Sequence, residues 1–175
     1  MTLQSWLMIG GGAIAAIVLA TQLLPSTLRI EKSAIIKADA ASIYPLLSSN
    51  AGFQTFNPYK DTDPDLKIAL SGPASGVGSS FSFEGKEGKG TQTITALTSN
   101  KSVTMLIDMG FQGQPVQTLQ LHPTGEGTRV SWVLDMDFGR NPIGRVMGLF
   151  LDGMMGPTLE RGLGNLSTAV ANQAT

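Results

Sequence analysis

The chain of 175 residues has no cysteine and one histidine, His122. A disulfide scaffold, a Cys-ligated zinc or iron–sulfur site and a thiol nucleophile are therefore excluded, as is a metal site built from several histidines. Charged residues make up 14% of the sequence, against about 25% in an average soluble protein. The isoelectric point is about 5.7 and the Lys and Arg residues are scattered, so no nucleic-acid partner is expected. Such scarce ionisable groups favour a binding or structural role over catalysis, and we predict no cofactor.

Charge is scarcest near the N-terminus, where the nineteen residues from Trp6 to Leu24 (WLMIGGGAIAAIVLATQLL) are all uncharged. As a helix this run would be roughly 28 Å long, close to the thickness of the hydrocarbon core of a bilayer. Trp6 is typical of the headgroup level, and Pro25 ends the run. The sequence therefore predicts a single transmembrane helix, with an anchor at residues 1–27 and a folded domain at residues 28–175.

The residues on either side of the uncharged run indicate whether the helix is cleaved or retained, and how it is oriented in the membrane. A cleaved signal peptide is the alternative to an anchor, but it needs a positively charged start, and residues 1–5 (MTLQS) contain no Lys or Arg. A retained helix is therefore favoured. Basic residues follow the run at Arg29, Lys32 and Lys37. They slightly favour a location of the folded domain on the cytoplasmic side of the membrane.

Small residues recur every four positions in the anchor, at Gly12, Ala16 and Ala20. Such a face lets a second helix approach closely, so it predicts a partner protein within the membrane. Small residues are also common in membrane spans that have no partner, and the spacing alone leaves both interpretations open.

The domain begins with a strand-like run at residues 28–37. Asp39 then occupies the N-cap position of a short helix, and a further helical turn is expected near residues 52–55. Six more strand-sized runs follow, separated by short segments rich in Gly, Pro and Asn, which predicts an antiparallel meander. Apolar and polar residues alternate in the last run, as expected for a strand with one face on a core. The six runs are residues 66–70, 79–84, 90–97, 102–109, 116–121 and 128–138.

A long helix is predicted at the C-terminal end, with Asn141 as its N-cap and Pro142 at its first position. An apolar stripe at helical spacing follows, which predicts that the helix lies against the sheet. Gly156 and Pro157 are expected to kink or interrupt the helix, and Leu159, Leu163, Leu166 and Val170 continue an apolar face beyond them. The stripe consists of Ile143, Val146, Met147, Phe150, Leu151 and Met154.

Four short motifs accompany this order of one strand, two short helices, six strands and a long helix. Within residues 29–170 they are 56–59 (FNPY), 76–79 (GVGS), 128–132 (TRVSW) and 159–166 (LERGLGNL). The element order and the motifs resemble the helix-grip fold of the START-like (SRPBCC) superfamily, in particular the bacterial group of polyketide cyclase/dehydrase and lipid transport proteins. The resemblance implies an α+β domain in which an antiparallel sheet wraps around the C-terminal helix and leaves a deep cavity for an apolar ligand.

Methionine and aromatic residues supply the candidates for the wall of such a cavity. Six of the eight methionines lie in the domain, where flexible side chains would adapt to varied apolar ligands and aromatic rings would form rigid walls. Ordinary core packing is the alternative interpretation for each of them singly. The ligand-pocket candidates are Met105, Met109, Phe111, Trp132, Met136, Phe138, Met147, Phe150 and Met154.

The acidic residues predict neither a catalytic pair nor a metal site. Asp135 and Asp137 share the strand face that is expected to meet solvent. Asp61, Asp63 and Asp65 have the spacing of a calcium-binding loop, but the glycine and glutamate that such a loop requires further on are missing. We therefore name no catalytic or metal-ligating residue.

Three functions are compatible with these features. The favoured one is a membrane-anchored binding protein for a hydrophobic small molecule or lipid, held between the sheet and the C-terminal helix. The first alternative is an accessory subunit of a larger membrane complex that docks through the transmembrane helix. The second is an enzyme of cyclase or dehydratase type, although no acid–base pair stands out. The expected location is the bacterial inner membrane, with a single span.

Overall fold

The computed structural model describes residues 18–173. After a helical turn at residues 18–21, the described residues form seven strands, four helices and a 3-10 turn at Gly110–Gln112. The strands are β1 (Thr27–Ile36), β2 (Lys67–Ser71), β3 (Ser80–Gly85), β4 (Gly88–Thr98), β5 (Ser102–Asp108), β6 (Val116–Thr124) and β7 (Gly127–Asp137). The helices are α1 (Ala40–Leu47), α2 (Asn50–Phe53), α3 (Tyr59–Thr62) and α4 (Pro142–Gln173).

All seven strands form one antiparallel sheet in the order β1-β7-β6-β5-β4-β3-β2. Consecutive strands from β2 to β7 pair as a meander, and β1 closes the order by pairing with β7 along its whole length. Each predicted strand overlaps an observed one, with ends that differ by at most three residues. The predicted antiparallel sheet with a long C-terminal helix is therefore confirmed.

The short helices begin where the sequence supplies a capping side chain. Asp39 accepts a hydrogen bond from the Ser42 amide at 2.7 Å, and Ser49 accepts one from the Gly52 amide at 3.0 Å. The hydrogen bonds with Ser42 lower the pKa of Asp39. A third short helix, α3, begins after Pro58 and was not expected.

The core lies between one face of the sheet, the short helices and the second half of α4. Its centre is an aromatic cluster in which the ring of Phe53 lies 5.0 Å from that of Phe56 and 5.9 Å from that of Trp132. Gly162 in α4 faces the Trp132 ring so closely that no larger residue fits without a shift. The apolar face of α4 beyond Pro157 packs onto this core through Leu159, Leu163, Leu166 and Val170, all of them buried.

The helix α4 runs through Gly156 and Pro157 without a break, so of the two expected effects, a kink or an interruption, the interruption is wrong. A proline within a helix removes one backbone hydrogen bond, which lessens the stability of the helix but does not oblige it to end. Gly156 is buried against β1, where an added Cβ would lie 2.8 Å from Cε of Lys32. The glycine thus allows strand and helix to approach closely.

The first half of α4 does not bury the stripe that the sequence predicted. Ile143 is 73% exposed and Phe150 is 61% exposed. Toward the domain this half presents Gly144 and Gly148, whose Cβ positions would lie 3.0 Å and 2.7 Å from ring atoms of Phe138. The Phe138 ring, which follows β7, therefore fixes the rotation of the helix and leaves much of the apolar stripe on the outside.

The segment before β1 is tied to the start of α4. The Arg145 guanidinium donates to the carbonyl oxygens of Gln22 and Leu24 at 2.7 Å and 2.9 Å, and the Phe138 amide donates to Ser26. Within the described residues, no helix has both the length and the apolar character that crossing a bilayer requires. Most of the predicted span, including Gly12 and Ala16, lies outside those residues, whereas Ala20 is described and exposed.

Candidate ligand-binding cavity

A cavity of about 800 Å³ lies between the inner face of the sheet and the first half of α4. Strands β3 to β7, the helix α3 and the loop after β5 complete its wall, and most of the side chains that line it are apolar. A shallower depression of about 750 Å³, more open to solvent, runs along β2, β3 and β4. The enclosed cavity is therefore the better candidate for a ligand site.

Six of the nine predicted pocket residues line this cavity. Phe111 stands at the mouth, because it is 97% exposed. The other five are distributed over β7, α4 and the ends of neighbouring strands. The six are Met109, Phe111, Trp132, Met136, Phe138 and Met147. Their contact with a ligand stays a prediction.

The other three candidates lie elsewhere. Met105 is fully buried within the sheet's packing, behind the residues that line the cavity. Phe150 and Met154 lie on the outer side of α4, where they are 61% and 59% exposed. They were expected to face inward because they belong to the apolar stripe, but Gly144 and Gly148 occupy the inward side of the helix.

The floor of the cavity is a chain of buried hydrogen bonds between amide side chains. Trp132 Nε1 donates to Gln117 Oε1 at 3.1 Å, and Gln117 Nε2 donates to Gln92 Oε1 at 2.7 Å. Gln92 Nε2 donates to Asn50 Oδ1 at 3.2 Å, and Asn50 Nδ2 donates to the Ser79 carbonyl at 2.6 Å. We call these five residues the amide relay.

The amide relay was missed from the sequence, although a signal for it was present. Gln92 precedes the core residue Ile94 by two positions on β4, and Gln117 precedes Leu119 by two positions on β6. Because strand residues two apart share a face, both glutamines occupy core-facing positions. A polar side chain at such a position is buried and must find a hydrogen-bond partner inside the domain.

The motif at residues 56–59 positions a tyrosine in the cavity wall. Asn57 is buried, and its Oδ1 accepts a hydrogen bond from the Tyr59 amide at 3.1 Å, which helps to start α3. Burial, assisted by the charge of Glu87, raises the pKa of Tyr59 to about 12. The phenol therefore stays protonated at physiological pH and acts there as a neutral hydrogen-bonding group.

Three carboxylates also line the cavity, those of Asp63, Glu87 and Asp137. Both oxygens of Asp63 accept backbone amides, from Asp65 at 3.2 Å and from Lys86 at 2.6 Å. Asp137 accepts the Gly139 amide at 2.8 Å. Of these three carboxylates, that of Glu87 has no hydrogen-bond partner among residues 18–173.

The remaining polar residues considered from the sequence do not line the cavity. Asp135 pairs with Arg29 at 3.1 Å on the outer face of the sheet. Asp61 accepts a hydrogen bond from Asn165, and His122 is exposed near Gln120. The described part of the chain contains no group of three His, Asp or Glu residues that could hold a metal ion.

Solved structures of several functions share this fold. Norcoclaurine synthase from Thalictrum flavum, in complex with dopamine and hydroxybenzaldehyde, superposes with a TM-score of 0.64 at 17% identity and covers 87% of this chain and 91% of its own. The di-domain ARO/CYC StfQ of the steffimycin pathway superposes with a TM-score of 0.62 at 9% identity, over 85% of this chain and 52% of its own. At such identities the likeness concerns the fold alone.

No curated protein sequence matches the chain. The family model described as "Polyketide cyclase / dehydrase and lipid transport" matches residues 27–171, from the first residue of β1 nearly to the end of α4. The match thus covers the sheet, the cavity and the long helix that have been described. The chain belongs to the polyketide cyclase/dehydrase and lipid transport family.

Proposed function

We propose that this protein is a membrane-anchored binding protein that holds a hydrophobic small molecule or lipid between the sheet and the first half of α4. The observation that carries the proposal is the cavity of about 800 Å³ with its mainly apolar wall. Cavities of this size and lining are typical of sites for drug-sized or lipid-like molecules. The norcoclaurine synthase complex, with its two small aromatic ligands, supports the use of this fold for such a purpose.

Two features support a location at a membrane. The uncharged run from Trp6 to Leu24 has the length of a span, and Arg145 ties the end of that run to the start of α4. The first half of α4 exposes a patch of large apolar side chains, of the kind that marks contact with lipid or protein. The patch consists of Ile143, Val146, Met147, Leu149, Phe150 and Met154.

The cavity mouth and this patch are continuous, since Ile143 and Met147 belong to both. A domain held with the patch against the bilayer would open its cavity toward the lipid, so an apolar ligand would enter without crossing water. We propose the bacterial inner membrane as the location. The basic residues after the run favour the cytoplasmic side for the domain.

Native mass spectrometry tests the binding function. The full chain is extracted in a mild detergent, and we expect it to carry one apolar molecule per protein. Met136 lines the cavity, so Met136→Trp is expected to fill space and expel that molecule. Met154→Trp is the matched control, because Met154 lies on the outer side of α4. Retention in Met136→Trp, or an empty wild-type chain, would contradict the proposal.

A cyclase- or dehydratase-type activity is a second candidate, favoured by Glu87 and Tyr59. Both line the cavity, and neither the Glu87 carboxylate nor the Tyr59 hydroxyl has a hydrogen-bond partner within residues 18–173. A carboxylate and a protonated phenol in one cavity have the chemistry of a general base and a hydrogen-bond donor. Product formation from the co-purified molecule that stops in Glu87→Gln would establish this activity, whereas unchanged release of the molecule would count against it.

A further inference from the structure

The hydrogen-bond direction of the amide relay is fixed at both of its ends. The indole N–H of Trp132 can only donate, so Gln117 must turn its oxygen toward it. The carbonyl of Ser79 can only accept, so Asn50 must turn its amide nitrogen toward it. Gln117 and Gln92 lie between these ends. Their amide groups have a single arrangement in which each oxygen accepts from the Trp132 side and each nitrogen donates toward Ser79.

The remaining N–H groups of the two glutamines are taken by Met105. Each amide nitrogen carries two hydrogens, and one from each is used within the relay. The thioether sulfur of Met105 accepts the others, at 3.0 Å from Gln92 Nε2 and 3.2 Å from Gln117 Nε2. Each glutamine oxygen accepts only one hydrogen bond from the described residues, so each keeps a free lone pair.

The floor made by Gln92 and Gln117 therefore offers hydrogen-bond acceptors and no donors. Both residues line the cavity although they are only 3% and 4% exposed. A ligand group that brought a further acceptor to this floor would lose its water and gain no partner, which is unfavourable in a buried site. A group that brought an O–H or N–H would be paired.

The charges around the cavity also disfavour an anionic ligand group. The charged residues in its described lining are Asp63, Glu87 and Asp137, all acidic, and that lining includes no Lys, Arg or His. An anionic headgroup would therefore meet like charges and no counter-ion. A neutral or cationic group meets no such penalty.

We infer that the ligand is a neutral or cationic amphiphile whose polar group is a hydrogen-bond donor, a hydroxyl or an amine, bound at Gln92 and Gln117. At this floor a carboxylate, such as that of a fatty acid, or a carbonyl as the only polar group is discriminated against, whereas the Tyr59 hydroxyl elsewhere in the cavity wall can donate a hydrogen bond. This inference rests on the proposed function and adds the chemical class of the ligand.

Four naphthalene probes substituted at the same ring position test the inference: naphthol, naphthylmethylamine, acetonaphthone and naphthoate. Binding to the full chain in detergent is measured by equilibrium dialysis at neutral pH, with protein-free detergent as the blank. We expect naphthol and the amine to bind about tenfold more tightly than the ketone and the carboxylate, as one buried hydrogen bond allows. Equal or stronger binding of the ketone or the carboxylate would overturn the inference.

Two variants on β6 test whether the floor causes the preference for probes that donate a hydrogen bond. Gln117→Leu removes an acceptor and is expected to reduce the tenfold preference to less than about threefold. Gln120→Leu is the matched control, since Gln120 lies three positions on and outside the cavity lining, and it should keep the preference. A preference that survives in a folded Gln117→Leu would contradict the assignment. If that variant fails to fold, the wild-type ranking still decides the inference.

The two proposals fail in different ways. Probes that bind without any preference for a donor would overturn the ligand class and leave the binding function in place. If no probe binds and no apolar molecule co-purifies, both proposals are wrong.

Discussion

The two halves of α4 belong to one uninterrupted helix but have opposite relations to the rest of the domain. Beyond Pro157, four apolar residues are buried against the sheet and the aromatic cluster. Before Gly156, apolar residues of similar size are mostly exposed, and the inward side carries Gly144 and Gly148. The second half thus holds the fold together, whereas the first half covers a cavity and offers an apolar surface. Equal hydrophobicity along a helix does not imply an equal role.

Replacing one large apolar residue in each half should give the largest contrast in stability. Leu163→Ala is expected to lower the free energy of unfolding by about 2–5 kcal/mol, because Leu163 is buried in the core. Phe150→Ala should change it by less than about 0.5 kcal/mol, because Phe150 is exposed. Denaturant unfolding of the full chain in detergent measures both. Similar losses in the two variants would show that the halves are equivalent.

Glycine-to-alanine substitutions should change stability in opposite directions in the two halves. In Gly162→Ala the new Cβ meets the Trp132 ring, which should cost about 1–3 kcal/mol of stability. In Gly153→Ala the Cβ meets nothing within 4 Å, and the higher helix propensity of alanine should add about 0.5–1 kcal/mol. Thermal unfolding of both variants checks the two signs. A stabilised Gly162→Ala would mean that the Trp132 contact is loose.

Arg145, near the start of α4, should locally stabilise the segment before β1. Arg145→Gln removes the hydrogen bonds to the carbonyls of Gln22, Leu24 and Gly139, at a cost of about 1 kcal/mol to the segment before β1. We expect faster hydrogen exchange at residues 22–26 and a nearly unchanged melting temperature. Arg161→Gln, at an exposed position in the second half, should alter neither. Unchanged exchange in Arg145→Gln would argue that other contacts hold the segment.

The exposed patch on the first half of α4 should contribute least to the stability of the domain. Its contact with lipid can still be measured by fluorescence spectroscopy. The chain has no cysteine, so Phe150→Cys and Arg161→Cys each provide a single labelling site, one in each half of α4. In lipid nanodiscs, a fluorescent label at position 150 should be quenched by nitroxide lipids, and a label at position 161 should not. Equal quenching at both sites would contradict the proposed contact of the first half with lipid.

The strands and the start of α4 could be predicted from the sequence because their signals are local. Alternation in β7 and the Asn141–Pro142 cap depend on neighbours in the chain, and Asn141 indeed accepts the amides of Ile143 and Gly144. The rotation of the first half of α4 could not be predicted in this way. Its apolar stripe and its glycines both recur at helical spacing, and the ring of Phe138 decides between them.

The cavity was predictable in outline, whereas its polar floor was not. Trp132 and Met136 share one face of β7 and both line the cavity, as the alternation in that strand predicts. The inward positions of Gln92 and Gln117 can be inferred from their strand neighbours, but the relay also needs Asn50, and these three residues are far apart in the sequence. Only the fold brings them together, so their common role becomes visible in three dimensions.

The position of Trp132 gives the protein a built-in optical reporter. The chain has two tryptophans, and Trp132 lines the cavity while its indole N–H begins the amide relay. In a Trp6→Phe background, all tryptophan emission would come from a ring that touches the ligand space on one side and the hydrogen-bonded floor on the other. Filling, emptying or repolarising the cavity would then each change the colour or yield of that emission, without any added label.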